Sequence, residues 1–296
     1  MRLKQLPKNY QNLKMSKVFM PVKPDELWGV LDENPEAVVY AGGTDLLVKL
    51  RSQHAKPACL ICLERLDDFK GITTEGDEIF IGALTTHREM VGDPIVVRDL
   101  RLMATATKSL GSPPVRNMGT LAGNIVTASP AGDTLAPLYV LNAQLEIRSR
   151  SATRRAPIES FILGPGKVDL NHGEIVSRII VSKSPKFGVH HYEKVGRRDS
   201  LACAVVSMAA LVNVTDDNII SKIRLAWGSV GPTIMRFRSV ESFLEGKALS
   251  IKGLSEAVRL VKESVHPIDD LRASSSYRRE VAGRLLLRLI GYAPCI

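Results

Sequence analysis

Two glycine-containing loops constrain the fold of this chain more than any other feature of its sequence. The first, AGGTD at 41–45, follows the apolar run 37–40, and the second, GTLAGN at 119–124, follows a predicted helix and its proline stop. Glycine lets backbone amides approach an anion closely, and successive amides in such a turn form a concave site for phosphate oxygens. Neither loop fits the GxGxxG dinucleotide motif or the GxxxxGK[ST] motif. Each loop alone is equally well explained as a tight turn, and a diphosphate site formed by the two would belong to another architecture.

The length of the chain predicts two packed domains. Its 296 residues exceed the roughly 100 to 200 residues at which a single core usually stops growing. The composition changes near 182–188, where lysine, serine and proline interrupt two apolar stretches. We therefore place a first domain at 16–184 and a second at 185–296.

Hydrophobic periodicity and turn residues predict an α+β protein. In the first domain we expect helices at 24–34, 98–110 and 136–141, a helix starting near 85, strands at 37–40, 58–63 and 144–147, and short antiparallel strands between 69 and 82. In the second domain we expect three antiparallel strands at 189–195, 201–214 and 219–230, with helices at 239–244, 251–265 and 277–290.

Charge and composition narrow the class of protein. Forty Lys and Arg against 31 Asp and Glu give a net charge of +9, which suits a nucleic acid, an anionic cofactor or an acidic partner. Only 5% of the residues are aromatic, so a stacking platform for bases, and hence nucleic-acid binding, is disfavoured. The apolar stretch 201–214 is shorter than the ~20 residues that cross a bilayer, and no signal peptide is recognisable. Four cysteines without a regular spacing favour a reducing compartment, so we expect a cytoplasmic protein without a membrane span.

Side chains that carry catalytic chemistry are scarce in the sequence. Thr44, Thr120 and Asn124 can donate hydrogen bonds to a phosphate, and the carboxylate of Asp133 suits a ribose hydroxyl. Cys59 and Cys62 form a CxxC pair without a second pair, which favours packing over zinc or thiol chemistry. No catalytic triad and no metal-ligand spacing is recognisable.

Longer stretches around the two loops resemble a known family. AGGTDLLVKL at 41–50 is similar to the first flavin loop of the FAD-binding domain of molybdenum hydroxylases, and RNMGTLAGNIVTASPAGD at 116–133 is similar to the second. Further similarity at 81–90, 164–176, 192–200 and 271–286 extends over nearly the whole chain. The chain is thereby identified as a member of the FAD-binding (medium) subunits of the xanthine dehydrogenase and carbon monoxide dehydrogenase type. This resemblance implies an FAD-binding domain of the PCMH, or vanillyl-alcohol-oxidase-like, type with subdomains at about 16–70 and 71–184. It also implies a small C-terminal domain with a three-stranded antiparallel sheet and helices.

The same resemblance implies which residues contact FAD. The two loops would hold the diphosphate, Asp133 the ribose, and four further residues would lie near the flavin ring. The full predicted set is Val39, Tyr40, Ala41, Gly42, Gly43, Thr44, Asp45, Leu110, Gly119, Thr120, Leu121, Ala122, Gly123, Asn124, Asp133, Ile175, Tyr192 and Lys194. The sequence departs from many relatives at Ala122, where a second glycine is usual, so this site requires a negative φ at Ala122. It also has about fifteen extra residues before Val18, with Met15 as an alternative start.

The function implied by the resemblance is electron transfer inside a complex. A large molybdopterin subunit would oxidise the substrate, a small subunit would relay electrons through 2Fe-2S clusters, and FAD would pass them to NAD or another acceptor. We expect a dimer of heterotrimers. The sequence at 124–133 resembles purine hydroxylases somewhat more than carbon monoxide dehydrogenases, which favours a purine or other N-heterocycle as substrate. The alternatives are a stand-alone flavin oxidase and a cofactor-free assembly subunit.

Several residues near the flavin positions keep two interpretations. Of His190 and His191, at most one can face the cofactor, because adjacent strand residues point to opposite faces. Lys194 either places a positive charge near reduced flavin or is solvated. Arg197 and Arg198 are either a flavin-edge or subunit-contact pair or plain surface charge.

Overall fold

The computed structural model describes residues 17–52, 57–183, 185–198 and 201–293. Its strands are β1 (Lys17–Phe19), β2 (Val38–Tyr40), β3 (Cys59–Cys62), β4 (Ile72–Glu75), β5 (Glu78–Gly82), β6 (Gln144–Arg148), β7 (Thr153–Pro157), β8 (Ile162–Gly164), β9 (Lys167–Val168), β10 (Ile175–Ser182), β11 (Val189–Val195), β12 (Val206–Val214) and β13 (Ile220–Gly228). Its α-helices are α1 (Pro24–Glu33), α2 (Leu46–Arg51), α3 (His87–Gly92), α4 (Pro94–Asp99), α5 (Arg101–Ser109), α6 (Pro113–Met118), α7 (Leu121–Thr127), α8 (Leu135–Val140), α9 (Ile158–Phe161), α10 (Arg238–Leu244), α11 (Ile251–Ser264) and α12 (Ser275–Leu286). The α+β class predicted from the sequence is confirmed.

The first part of the chain contains two sheets. A three-stranded parallel sheet has the order β1-β3-β2, and a five-stranded antiparallel sheet has the order β4-β5-β10-β6-β7. Strand β10 lies at the centre of the larger sheet, where Ile179 pairs with Ile81 on one side and Leu145 on the other. The apolar faces of both sheets pack into one hydrophobic core.

The C-terminal part contains the predicted antiparallel meander, with the order β11-β12-β13. Because strand residues alternate between faces, β12 serves two cores: Ala209 and Leu211 pack into the first, and Met208 and Ala210 pack against α10, α11 and α12 in the second. Trp227 is fully buried in this second core and donates its indole N–H to the carbonyl of Ala282 at 3.1 Å. The predicted three-stranded sheet with helices is confirmed, whereas the exact domain boundaries stay predictions.

Two predictions of element bounds were wrong. The helix predicted at 98–110 is broken at Leu100 (φ −122°, ψ 47°) into α4 and α5. The second strand begins at Val206 and not at Leu201, because Leu201 has a φ of 56°, which no strand residue adopts. Among the described helices, none combines the length and apolar character that a membrane crossing requires.

Candidate functional site

The two glycine loops touch each other. A Cβ atom added to Gly42 would lie 1.6 Å from the carbonyl oxygen of Met118, and one added to Gly119 would lie 3.4 Å from the hydroxyl of Thr44. Only a residue without a side chain allows the first loop to approach the second this closely. The structure therefore brings together the two stretches that the diphosphate hypothesis requires to meet.

The first loop presents backbone amides without partners. It follows β2, turns through Gly43 at a φ of 68°, and leads into α2, whose first turn is closed by a hydrogen bond from the amide of Leu47 to the carbonyl of Gly43. Within the described residues, no group accepts a hydrogen bond from the amides of Gly42, Gly43 or Thr44. Successive free amides of this kind form an anion-binding concavity.

The second loop is not a loop throughout, which corrects the sequence prediction. Thr120 is the N-cap of α7, and its hydroxyl oxygen accepts the amide of Gly123 at 3.1 Å. Leu121, Ala122, Gly123 and Asn124 therefore lie on a helix. Ala122 consequently has a negative φ, which meets the condition that alanine imposes at this position. Its amide donates to no other described residue, as is usual in the first turn of a helix.

Two contacts hold the second loop against α3. The amide of His87 donates to the carbonyl of Gly119 at 2.9 Å, and the amide of Leu121 donates to the carbonyl of Thr85 at 3.1 Å. His87 is buried, and desolvation, aided by the positive charge of Arg116, lowers its pKa to about 4. A neutral imidazole thus packs against Gly119. The side-chain oxygen of Asn124 accepts from Thr134 at 2.7 Å, which leaves its amide hydrogens free to donate.

A cleft opens where the loops meet. It has a volume of about 150 Å³ and is lined by Ala41, Gly42, Glu64, Lys70, Leu84, Thr86, Glu89, Asn117, Met118 and Thr120. A larger open depression of about 570 Å³ adjoins it and shares Glu64 and Lys70 with it. Free amides, a glycine-only contact and an adjoining cleft fit the diphosphate of a dinucleotide cofactor.

A second group of predicted residues meets where β11 packs on α5. The ammonium of Lys194 lies 2.8 Å from the carboxylate of Asp133 and 2.6 Å from the carbonyl of Ser109, and the hydroxyl of Tyr192 donates to Asp133 at 3.2 Å. The side chains of Lys194 and Asp133 are only 10% and 9% exposed. Burial raises the pKa of Tyr192 well above its usual value, so the phenol remains a donor. We call these four residues the flavin-end cluster.

The contacts within this cluster bear on the roles predicted for Lys194 and Asp133. Lys194 is not solvated, and its charge is largely balanced by Asp133 before any cofactor is considered. Asp133 was expected to hold a ribose, and each of its two oxygens already accepts one hydrogen bond. A carboxylate oxygen has a second lone pair, so Asp133 can still accept a hydroxyl.

The other predicted positions lie around these two groups. Val39 and Tyr40 form the end of β2, and burial together with the neighbouring Cys62 raises the pKa of Tyr40 to about 12. Leu110 follows Ser109 directly, and its carbonyl accepts from Arg116 at 2.8 Å. Ile175 begins β10 within the first core. Whether these residues contact FAD stays a prediction.

The two histidines lie on opposite faces of β11, as expected of neighbours on a strand. The Nε2 of His190 lies 2.9 Å from the carbonyl of Phe187, and the Nδ1 of His191 lies 3.1 Å from the hydroxyl of Tyr292. Neither histidine joins the flavin-end cluster through these contacts.

Sequence reasoning missed two arginines of the C-terminal part. Arg236 is only 4% exposed and donates to the carbonyl of Tyr139, to Asn142 and to Glu159 in the first part of the chain, and also to Glu241. Arg224 donates to the carbonyl of Val140 at 3.0 Å. Both therefore hold the C-terminal end of α8, whose N-terminal end follows Asp133. No local pattern distinguishes these arginines from surface charge.

Replacement of Arg236 by methionine is expected to lower the free energy of unfolding by about 3 to 5 kcal/mol, because it leaves the buried Glu241 without its main counter-charge. The measurement is urea denaturation followed by fluorescence. Arg155→Met is the matched control, since Arg155 is 51% exposed and pairs with Glu78 at the surface, where about 1 kcal/mol or less is expected. Equal losses in the two variants would contradict the stabilising role of the buried Arg236.

Comparisons with known proteins show the family to which the chain belongs. Residues 12–184 match the family model of the FAD binding domain in molybdopterin dehydrogenase, and residues 190–293 match that of the CO dehydrogenase flavoprotein C-terminal domain. The chain is 31% identical over 267 residues to the xanthine dehydrogenase FAD-binding subunit of Escherichia coli O157:H7, covering 89% of this chain and 91% of that one. It is 30% identical to the carbon monoxide dehydrogenase medium chain of Hydrogenophaga pseudoflava, covering 87% and 89%.

A solved structure shows the same architecture. The carbon monoxide dehydrogenase of Hydrogenophaga pseudoflava, in a form that lacks the Mo-pyranopterin moiety, superimposes with a TM-score of 0.88 and 29% identity over 94% of this chain and 96% of that one. Fold and site together define an FAD-binding oxidoreductase subunit. The chain belongs to the family of FAD-binding subunits of molybdopterin-dependent dehydrogenases, which confirms the resemblance found in the sequence.

Proposed function

We propose that this chain receives electrons from 2Fe-2S clusters on its FAD and passes them to NAD or another acceptor, while a partner subunit with molybdopterin oxidises the substrate. The observation that carries this proposal is the contact between the two glycine loops, with the free amides of Gly42, Gly43 and Thr44 beside it. Family membership supports electron transfer over a stand-alone flavin oxidase.

The residues of the proposed site have two roles. The loop amides, with the hydroxyls of Thr44 and Thr120 and the side-chain amide of Asn124, hold the diphosphate by hydrogen bonds that need no titratable group. Asp133, Tyr192 and Lys194 fix the flavin end by their position between the two parts of the chain. FAD supplies the step between one-electron carriers and two-electron acceptors, which no side chain of this chain could provide.

The assembly is proposed to be a heterotrimer of this chain with a large molybdopterin subunit and a small 2Fe-2S subunit, paired into a dimer of heterotrimers in the cytoplasm. The relatives named above are subunits of xanthine and carbon monoxide dehydrogenases, and another relative is a nicotinate dehydrogenase FAD-subunit. A purine or other N-heterocycle is the proposed substrate, on the similarity of 124–133 to purine hydroxylases.

The test is the visible spectrum and turnover of the purified chain. We expect the two-band absorption of oxidised flavin at one FAD per chain, with diaphorase activity at most and no oxidation of N-heterocycles without the partner subunits. Turnover of such a substrate by the isolated chain would instead support a stand-alone oxidase, and a colourless chain that binds no added FAD would support an assembly subunit.

Gly43→Val tests the loop assignment in the same assay. Gly43 has a φ of 68°, a conformation that valine cannot adopt without strain, so the amides should turn away and FAD should be released. Gly246→Val is the matched control, because Gly246 has a φ of 80° but lies in a turn of the C-terminal part. Stoichiometric FAD in Gly43→Val would contradict the assignment.

A further inference from the structure

The hydroxyl of Thr134 makes its hydrogen bond away from its own helix. Thr134 occupies the N-cap position of α8, where a threonine oxygen ordinarily accepts a backbone amide of the first helical turn. Here the side chain accepts no such amide. Its hydroxyl donates instead to the side-chain oxygen of Asn124 at 2.7 Å, ten positions earlier in the chain. The hydroxyl of Thr134 therefore acts on a residue of the second glycine loop.

The Thr134 side of this hydrogen bond is closed to solvent. Thr134 is 0% exposed, and its backbone carbonyl is fixed by the amide of Leu138 at 3.2 Å in the first turn of α8. A valine in this position would fill the same space, so water could not take the place of the hydroxyl. The side-chain oxygen of Asn124 would then lose the one donor that the described residues provide for it.

Asn124 lies on the same face of α7 as a residue of the cleft. Thr120 lines the cleft, and the backbone amide of Asn124 donates to the carbonyl of Thr120 at 3.0 Å, which places the two residues one helical turn apart. Helical side chains lean towards the N-terminus of their helix, so the side chain of Asn124 leans towards Thr120. No described residue accepts a hydrogen bond from its amide nitrogen. The side-chain amide of Asn124 therefore has its oxygen occupied and its nitrogen available.

A diphosphate determines which atom of this amide must face it. The oxygens of a diphosphate ester only accept hydrogen bonds, so Asn124 can contribute through its nitrogen alone. The amide oxygen must then point away from the ligand and towards a donor, and the hydroxyl of Thr134 is that donor. A flipped amide would bring its oxygen against the negatively charged ligand, and repulsion would weaken binding.

We propose that Thr134 is a positioning residue for FAD, whose hydroxyl holds the side-chain amide of Asn124 in the orientation that donates to the diphosphate. The proposal rests on the proposed function, because it takes FAD as the ligand of the two loops. Two neighbouring residues then act on the two ends of the cofactor. Thr134 acts through Asn124 on the diphosphate, and Asp133 belongs to the flavin-end cluster.

The test measures the FAD affinity of the apoprotein by calorimetric titration. Thr134→Val removes the hydroxyl at nearly constant volume, and we expect about tenfold weaker binding. Thr134→Ser keeps the hydroxyl and should bind FAD within about twofold of the wild type. Thr107→Val is the matched control, because Thr107 is equally buried but its hydroxyl has no partner among the described residues. FAD affinity should be unchanged in this control.

A second ligand distinguishes the two ends of the cofactor. ADP carries a diphosphate but no flavin, so Thr134→Val should weaken the binding of ADP and of FAD by the same factor. In an Asn124→Ala background, where the side-chain amide is absent, adding Thr134→Val should not weaken either ligand further. A purely structural role of Thr134 would instead lower affinity in both backgrounds.

Three results would overturn the role of Thr134: unchanged FAD affinity in Thr134→Val, failure of Thr134→Ser to restore affinity, or a loss confined to FAD with normal ADP binding, which would assign the effect to Asp133. Circular dichroism of the apoproteins monitors folding, and Thr134→Ala, which also lacks the hydroxyl, gives the same test if the valine variant does not fold. A wild-type chain that binds no FAD would overturn the proposed function as well, whereas normal FAD affinity in Thr134→Val would overturn this inference alone.

Discussion

Replacement of Gly42 by alanine is expected to abolish stoichiometric FAD binding. The new Cβ would lie 1.6 Å from the carbonyl oxygen of Met118, and because both groups belong to the main chain, the two loops must separate. Loss of two amide contacts to a charged diphosphate, at about 1.5 to 3 kcal/mol each, weakens FAD binding by at least about 100-fold. Isothermal calorimetry with the apoprotein and added FAD measures this change.

Gly29→Ala and Gly43→Ala serve as comparisons for Gly42→Ala. Gly29 lies on α1 with nothing within 4 Å of an added Cβ, so alanine there should leave FAD affinity unchanged and stabilise the helix by about 0.5 to 1 kcal/mol. Alanine at Gly43 should have an intermediate effect, because its Cβ meets only ordinary contacts at 3.4 Å or more while its φ is strained. Circular dichroism separates cofactor loss from unfolding. A folded Gly42→Ala protein with wild-type affinity would show that the loop contact has no part in binding FAD.

Replacement of Lys194 by methionine is expected to cost about 3 to 5 kcal/mol of unfolding free energy at neutral pH, because the carboxylate of Asp133 is left buried without its counter-charge. Burial already raises the pKa of Asp133, and Lys194 is the main group that opposes this. Without Lys194 the folded-state pKa rises further above the unfolded value. The destabilisation should therefore be small at low pH, where Asp133 is protonated in both states, and should grow as the pH rises through the folded-state pKa.

Denaturation curves between pH 4 and pH 8 test this prediction. Adding Asp133→Asn to Lys194→Met should recover part of the lost stability, because the second change removes the unpaired charge. Lys108→Met is the matched control, since Lys108 is exposed on α5 near the same interface. A loss that does not depend on pH would mean that packing, and not charge, is what Lys194 contributes.

Local sequence patterns indicated which residues belong to the candidate site, but they did not show which of these residues contact one another. The glycines of the two loops are recognisable as turn residues, and the family motif gave their order. Their contact through Gly42 and Met118 depends on how β2 and α6 pack, which no local pattern encodes. The pairing of Asp133 with Lys194 joins residues 61 positions apart, and it likewise became visible only in three dimensions.

Each wrong secondary-structure prediction has a specific physical cause. The second loop was predicted as irregular because Gly123 and Asn124 are poor helix formers, yet Thr120 caps the helix and its packing stabilises it. The break at Leu100 was missed because the apolar spacing runs through it. The start of β12 was placed too early because Leu201 and Ala202 extend an apolar run across a turn.

The flavin-end cluster is assembled from both parts of the chain, whereas the amides of the two glycine loops come from the first part alone. Under the proposed FAD contacts, retention of the cofactor and adjustment of its electronic properties would be separable. Substitutions along β11 could shift the reduction potential to suit a different electron acceptor while the affinity for the dinucleotide stays constant, which would allow one scaffold to serve complexes with very different redox partners.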